Sequence, residues 1–411
     1  MSEPGPTQLP TMSASRYGWV LAEAVALQPR TVGLRRDLHR HPELGLHLPR
    51  TQERLLRELA DLPLEVRRGT STTSITAVLR GDRPGPSVLL RGDLDALPMP
   101  EDTGLDFASA VPGAMHACGH DTHAAMLASA ARLLAAHTDA LAGSVVFMFQ
   151  PGEEGFHGAR HMIHEGVLDA AGDRVRKAFA LHISSSSSSG KISVRPGPIM
   201  AASDRFTVQV IGRGGHGSAP HYAQDPIPVA AELIGALQTV ISRRVSAFEP
   251  AVLSICRIHA GTTSNVIPEM AELEGTMRTL SEPTRALVRA ELTRICESVA
   301  AAHGCRALVD IEPGYPATLN DAAVASDVLQ LAHDLVGERY AEQMDDPILG
   351  AEDFSYVLQR VPGAFAFLGA CPQDLDPDHA PPNHSNRVIF DENAFAHGVA
   401  MYAAFALDAL R

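Results

Sequence analysis

At 411 residues the chain exceeds the roughly 250–300 at which one hydrophobic core stops growing, so two domains are expected. Apolar residues make up 45% and charged residues 20%, ordinary for a soluble globular protein. The formal net charge of -14 and the scarcity of aromatics exclude nucleic acid as a partner, because phosphate binding needs clustered Lys and Arg.

Residues 1–17, rich in Pro, Ser and Thr, read as a disordered N-terminus without the apolar core of a signal peptide. Helices are predicted over 20–40 and 51–62, where apolar residues recur at helical spacing. Short strands follow at 74–79 and 87–90, then an Ala-rich helix (122–137), a buried strand (145–149), a helix (158–168) and a strand (178–182). Strands alternating with helices predict an α/β layer with a mostly parallel sheet. Residues 184–189 are six serines, expected to form a polar loop. The pattern then changes to strands at 206–211, 252–258, 270–278 and 306–311 with helices at 226–241 and 282–302, which predicts an α+β module over 201–312. The α/β pattern resumes and ends in a helix over 393–410, so 18–200 and 313–411 form one discontinuous domain around the insert. No run approaches the roughly 20 apolar residues that span a bilayer. Five widely spaced cysteines, an odd number, argue against a disulfide framework, and a cytoplasmic location is expected.

Chemistry-bearing residues cluster at predicted strand ends. In Met115-His116-Ala117-Cys118-Gly119-His120-Asp121-Thr122-His123, a thiolate and an imidazole two residues apart can turn toward one ion. A packed thiol beside a surface imidazole would explain the same residues. In Gln150-Pro151-Gly152-Glu153-Glu154-Gly155, adjacent carboxylates follow a central strand, where α/β active sites collect. Such side chains point opposite ways unless a loop turns one toward an ion and leaves the other to accept a proton. A solvated acidic turn is the competing reading. His182 ends another apolar strand, where a lone histidine is usually structural, and His384 follows two prolines near the C-terminus, a weak signal alone. Arg91-Gly92-Asp93-Leu94-Asp95 places two carboxylates where they suit a hydrogen bond to a metal-bound imidazole, or a plain turn.

Taken in order, these segments resemble the M20 metallopeptidase clan, specifically its subfamily D amidohydrolases, which include hippurate hydrolases, N-acyl-amino-acid aminoacylases and plant auxin-conjugate hydrolases. The likeness runs from Leu38-His39-Arg40-His41-Pro42-Glu43-Leu44-Gly45 to His384 and includes Gly214-Gly215-His216-Gly217-Ser218 and Thr263-Ser264-Asn265-Val266-Ile267-Pro268. It implies two divalent cations, Mn or Zn with Co or Ni as alternatives. Cys118 would bridge them, with Glu154 and His384 on one ion and His120 and His182 on the other. Glu153 would be the general base and Asp95 would orient a ligand. The insert would be a lid or dimerisation domain, so a homodimer is implied. His216 would polarise the scissile carbonyl, while Asn265 and Arg278 would hold the substrate carboxylate. The activity implied is hydrolysis of N-acyl amino acids. A dipeptidase or carboxypeptidase of the same clan, a cysteine hydrolase using Cys118, and an inactive metal-binding homologue are the competing readings. Relatives have bulky or Pro residues where this chain has its serine run, and that leaves the acyl-group preference open.

Overall fold

The computed structural model describes residues 16–411, so the expectation for 1–17 falls almost wholly outside the described residues. Two compact units emerge. One takes the described residues up to Gly197 with Asn320–Asp345 and Tyr356–Arg411; the other is Pro198–Leu319 with Asp346–Ser355. The return of 346–355 to the second unit is not visible in the sequence, which has no periodic element there.

The first unit is built on an eight-stranded sheet in the order Leu64–Arg68, Ile75–Arg80, Ala142–Gln150, Arg83–Asp93, Lys177–Ser188, Gly363–Cys371, Ile192–Val194, Ala341–Gln343. Its four central strands run parallel, with antiparallel neighbours on either side. The sheet is mostly parallel, as expected. Val145 to Phe149 and Ala364 to Leu368 are unbroken apolar runs with almost no exposure, the composition a strand needs when both faces are covered. The helices Gly18–Arg40, His120–Ala135 and Phe395–Ala409 pack against one another, and the many alanines of the last two permit close approach. Near-complete burial of His120–Ala135 fixes the entry point of that helix, which carries a candidate ligand at its first residue.

The serine run departs from expectation. It is not a loop: the strand that carries His182 continues to Ser188, pairing in parallel with Gly363–Cys371 through an irregularity between Gly369 and Cys371. Cross-strand hydrogen bonding holds these serines extended despite their weak strand propensity. The helix at Gly158–His164 is shorter than predicted because Gly166 takes a left-handed conformation, φ 86°.

In the second unit a four-stranded antiparallel sheet, ordered Ala251–Ala260, Met270–Thr279, Ala202–Ile211, Arg306–Pro313, packs against the helices Pro226–Arg244 and Glu282–Ala302. Along Ala202–Ile211 inward residues alternate with more exposed ones, the period-2 signature of a one-sided sheet. Asp225 and Ser281 cap the two helices by accepting N–H groups of Ile227 and Thr284. Buried Asp204 accepts paired hydrogen bonds from Arg285 and Arg289, tying helix Glu282–Ala302 to the sheet. Among the described residues all five cysteines are free, and no helix is long and apolar enough to cross a membrane.

Candidate active site

The first unit gathers Cys118, His120, Glu153, Glu154, His182 and His384. Glu153 and Glu154 follow the strand Ala142–Gln150, and His182 lies on Lys177–Ser188, with Arg83–Asp93 between the two in the sheet. Cys118 and His120 flank Gly119, whose φ of 88° starts the buried helix. A Cβ at Gly119 would stand 2.4 Å from Ile183 Cγ2, so the position requires glycine on two counts. His384 also adopts a left-handed backbone, φ 70°, and its N–H donates to Ala117 O at 2.9 Å. That bond draws the C-terminal loop onto the Cys118 loop.

The donor atoms converge on the Cys118 sulfur. Sγ lies 3.4 Å from His182 Nε2 and 3.2 Å from His384 Nε2. Glu154 Oε1 is 3.3 Å from His384 Nε2 and 4.0 Å from His120 Nε2. Cys118, His120 and His182 form one group able to hold an ion, while Cys118, Glu154 and His384 form another. Glu153 stands within the same distance range of His120 and Glu154. His182 Nδ1 donates to Ile183 O at 2.7 Å, which fixes the tautomer and leaves the Nε2 lone pair facing the sulfur.

Electrostatics favour positive charge at this point. Burial works against a charged His120, yet Asp93 and the Cys118 sulfur override it and hold the ring well above its ordinary pKa. Hydrogen bonds to Cys118 and Glu154 lift His384 to about 10. His182, buried and next to His123, is driven well below its ordinary value and stays neutral, as a ligand must. Both ring nitrogens of fully buried His120 lack a hydrogen-bonding partner. Orphaned buried donors around a sulfur, in a pocket that stabilises cations, fit divalent metal ions of the first transition row or zinc.

Comparison with known proteins agrees with this chemistry. The profile of peptidase family M20/M25/M40 matches residues 89–408. The chain belongs to family M20. It is a metal-dependent amidohydrolase, and the family expected from the sequence is the one found. Thermostable carboxypeptidase 1 of Saccharolobus solfataricus is 39% identical over 380 residues, covering 92% of this chain and 94% of that protein. Hippurate hydrolase of Campylobacter jejuni is 33% identical over 392 residues, covering 95% and 100%. A dinuclear metal-binding M20 peptidase of Bacillus subtilis superposes with a TM-score of 0.81 at 34% identity, covering 94% of this chain and 99% of that one.

Around the candidate ligands of this M20 chain stand the two carboxylates marked in its sequence, Asp93 and Asp95, and a residue with no assigned role there, His123. Asp95 accepts the N–H of Glu153 at 2.9 Å and of Glu154 at 3.0 Å, and its Oδ1 is 3.5 Å from His120 Nδ1. The carboxylate pair is therefore held by its main chain, a larger role than orienting an imidazole. Asp93, paired with Arg91 at 2.7 Å, holds His123 Nδ1 at 2.5 Å. His123 Nε2 accepts the Ile183 N–H at 2.8 Å, so both of its nitrogens are engaged and neither is available as a ligand. The two-residue spacing of Asp93 and Asp95, and the four-residue spacing within Gly119–His123, were the only signals for these contacts.

His216, Asn265 and Arg278 belong to the second unit. His216 is exposed and sits opposite Val266 in a two-stranded pairing, and Gly217 N–H donates to Asn265 O at 2.8 Å, so this pairing joins His216 and Asn265. Ser218 N–H donates to His216 Nδ1 at 3.1 Å, which leaves Nε2 as the protonated, outward nitrogen. Arg278 is half-buried on strand Met270–Thr279 with Ser203 Oγ beside its guanidinium, and burial lowers its pKa. Among the described residues no carboxylate lies within ion-pair distance of Arg278.

Proposed function

We propose that this M20 enzyme hydrolyses the amide bond of N-acyl amino acids at a two-cation centre. Cys118, Glu154 and His384 would hold one ion and Cys118, His120 and His182 the other, and manganese or zinc would be the expected occupant. The observation that carries the reading is the Cys118 sulfur, set between His182 and His384 with two further buried donors at hand. When bound, such a pair of cations acidifies a water and polarises the scissile carbonyl.

The chain's own residues do the rest. Glu153, adjacent to Glu154 yet not needed as a ligand, takes the water's proton and returns it to the leaving nitrogen. His216 donates from Nε2 to the developing oxyanion, a contact typically worth about 3–4 kcal/mol. Asn265 and Arg278 hold the substrate carboxylate, for which the planar guanidinium fork is suited. In this reading 201–312 acts as the lid and as the surface of a homodimer, for which the exposed edge strand Ala251–Ala260 is available. A cysteine nucleophile fits worse, because burial pushes the Cys118 thiol up.

The similarity to a carboxypeptidase favours a second reading, cleavage of C-terminal residues from peptides. One panel separates the two: N-acetyl and N-benzoyl amino acids against unblocked dipeptides and N-blocked dipeptides, with Mn²⁺, Zn²⁺, Co²⁺ or Ni²⁺ added in turn. Faster turnover of N-acyl amino acids supports the proposal, and preference for blocked dipeptides replaces it with the second reading. Protein purified without chelator should carry about two ions per chain. Glu153→Gln should retain them and lose most turnover; undiminished turnover removes Glu153 as base.

A further inference from the structure

Asn383 uses its side-chain hydrogen-bonding groups entirely on main chain and on one serine. Its Nδ2 donates to Cys118 O at 3.0 Å and to Ile183 O at 3.0 Å. Its Oδ1 accepts the Ser185 N–H at 3.1 Å. The Ser185 hydroxyl donates to Pro381 O at 2.8 Å, with Asn383 Oδ1 as a longer alternative at 3.3 Å. The amide can sit only this way round, since reversing it would set an oxygen against two carbonyls and an NH₂ against an N–H.

The positions of these bonds give them their meaning. Cys118 is the bridging residue of the reading above. Ile183 O also receives the Nδ1–H of His182, so the carbonyl that Asn383 grips is the one that selects the His182 tautomer. The N–H of the same residue is held by His123, so Ile183 is fixed at both of its polar groups. Asn383 itself precedes His384, whose left-handed backbone is a conformation non-glycine residues hold only when their surroundings impose it. One side chain thus joins the segments that present Cys118, His182 and His384.

The serine run supplies the seat. Along the strand Ile183 and Ser185 turn to the buried side, whereas Ser184 and Ser186 turn to the other. Ser185 is fully buried, and Asn383 and Pro381 satisfy it.

We propose that Asn383, seated by Ser185, is a positioning residue that sets the spacing of the three ligands and thereby the affinity for the cations. This rests on the two-cation reading of the site. Partners of this kind, one step removed from an ion, typically contribute about 10–100-fold in metal affinity.

The test uses the full chain. Asn383→Asp keeps the shape and the acceptor but loses both donors. Ser185→Ala removes one hydroxyl, and Ser186→Ala, on the exposed side of the run, is the control. Mn²⁺ and Zn²⁺ affinities are measured by competition with a chromogenic chelator, alongside the Tm of the chelator-treated proteins and kcat/KM at saturating metal. Asn383→Asp should weaken at least one ion about 10–100-fold, Ser185→Ala roughly 3–10-fold, and Ser186→Ala should match the wild type. Tm should move little, and excess metal should restore much of the lost turnover. Unchanged affinity in Asn383→Asp and Ser185→Ala, with or without a fall in Tm, overturns the proposal while the two-cation site stands. Should Asn383→Asp fail to fold, Ser185→Ala decides by the same criterion. A wild-type chain that binds no cation overturns both readings.

Discussion

Asp95 controls Glu153 and Glu154 through their amides, with one oxygen for each N–H. Asp95→Asn puts an NH₂ against one of those donors and turns the loop loose at the proposed base or at the residue after it. The expected result is a fall of about 10–100-fold in kcat/KM with the fold intact by circular dichroism; wild-type kinetics would show that the loop holds its own shape. Residue-scale electrostatics also predict the acid limit of the first unit. Burial would raise Glu101, but hydrogen bonds from His39, Thr103 and the Ser109 N–H override it and hold the carboxyl at about 2 against an ordinary 4.5. A carboxyl depressed by folding stabilises above its unfolded pKa, and that stability is lost as pH falls from about 4.5 toward 2. Glu101→Gln should therefore flatten the stability profile in that window, as read by urea midpoints at successive pH values; an unchanged slope would assign the acid limit elsewhere. What the sequence made legible at this scale was the donor types. Cys118, His120, Glu153, Glu154, His182 and His384 announce themselves as chemistry, whereas His123 and Asn383 act through main-chain partners far away in the chain, which no local spacing encodes.

The long elements were legible for a physical reason: in the helices near 20–40, 226–241 and 282–302, and in the runs 145–149 and 178–182, periodicity or continuous apolarity follows directly from which faces are covered. The strand Leu64–Arg68 was not, because an exposed sheet edge leaves no apolar pattern to read. The serine run was not either, since its extended form comes from pairing with Gly363–Cys371 and not from its own residues. The junction between loop and helix at Gly119 is where element and site meet. Gly119→Ala brings a Cβ to 2.4 Å from Ile183 Cγ2 in a left-handed backbone. The cost is about 1–3 kcal/mol from strain and overpacking combined. Because Ile183 neighbours His182, relief of the clash displaces ligands on both sides. Thermal unfolding should show the loss of stability, and metal content should fall with it. A variant that is less stable yet binds two ions with wild-type affinity would show that the junction serves the fold alone.

At the scale of the molecule the proposed chemistry divides between two compact units: the cation ligands and Glu153 on one, His216, Asn265 and Arg278 on the other. That division predicts that metal binding and oxyanion stabilisation fail independently. His216→Ala should lower kcat by about 10²–10³-fold while leaving cation stoichiometry and affinity unchanged. Its neighbour refines the test. Ser218 supplies His216 Nδ1 with both an N–H at 3.1 Å and a hydroxyl at 2.8 Å, and Ser218→Ala removes only the second. The remaining N–H still forces the proton onto Nε2, so turnover should fall only a few-fold, by about the worth of one exposed hydrogen bond. If both variants kept wild-type kcat, the oxyanion would have to be stabilised wholly within the first unit, and the second would keep no catalytic role. If His216→Ala instead released metal, the histidine would be a ligand and the division of labour between the units would be wrong.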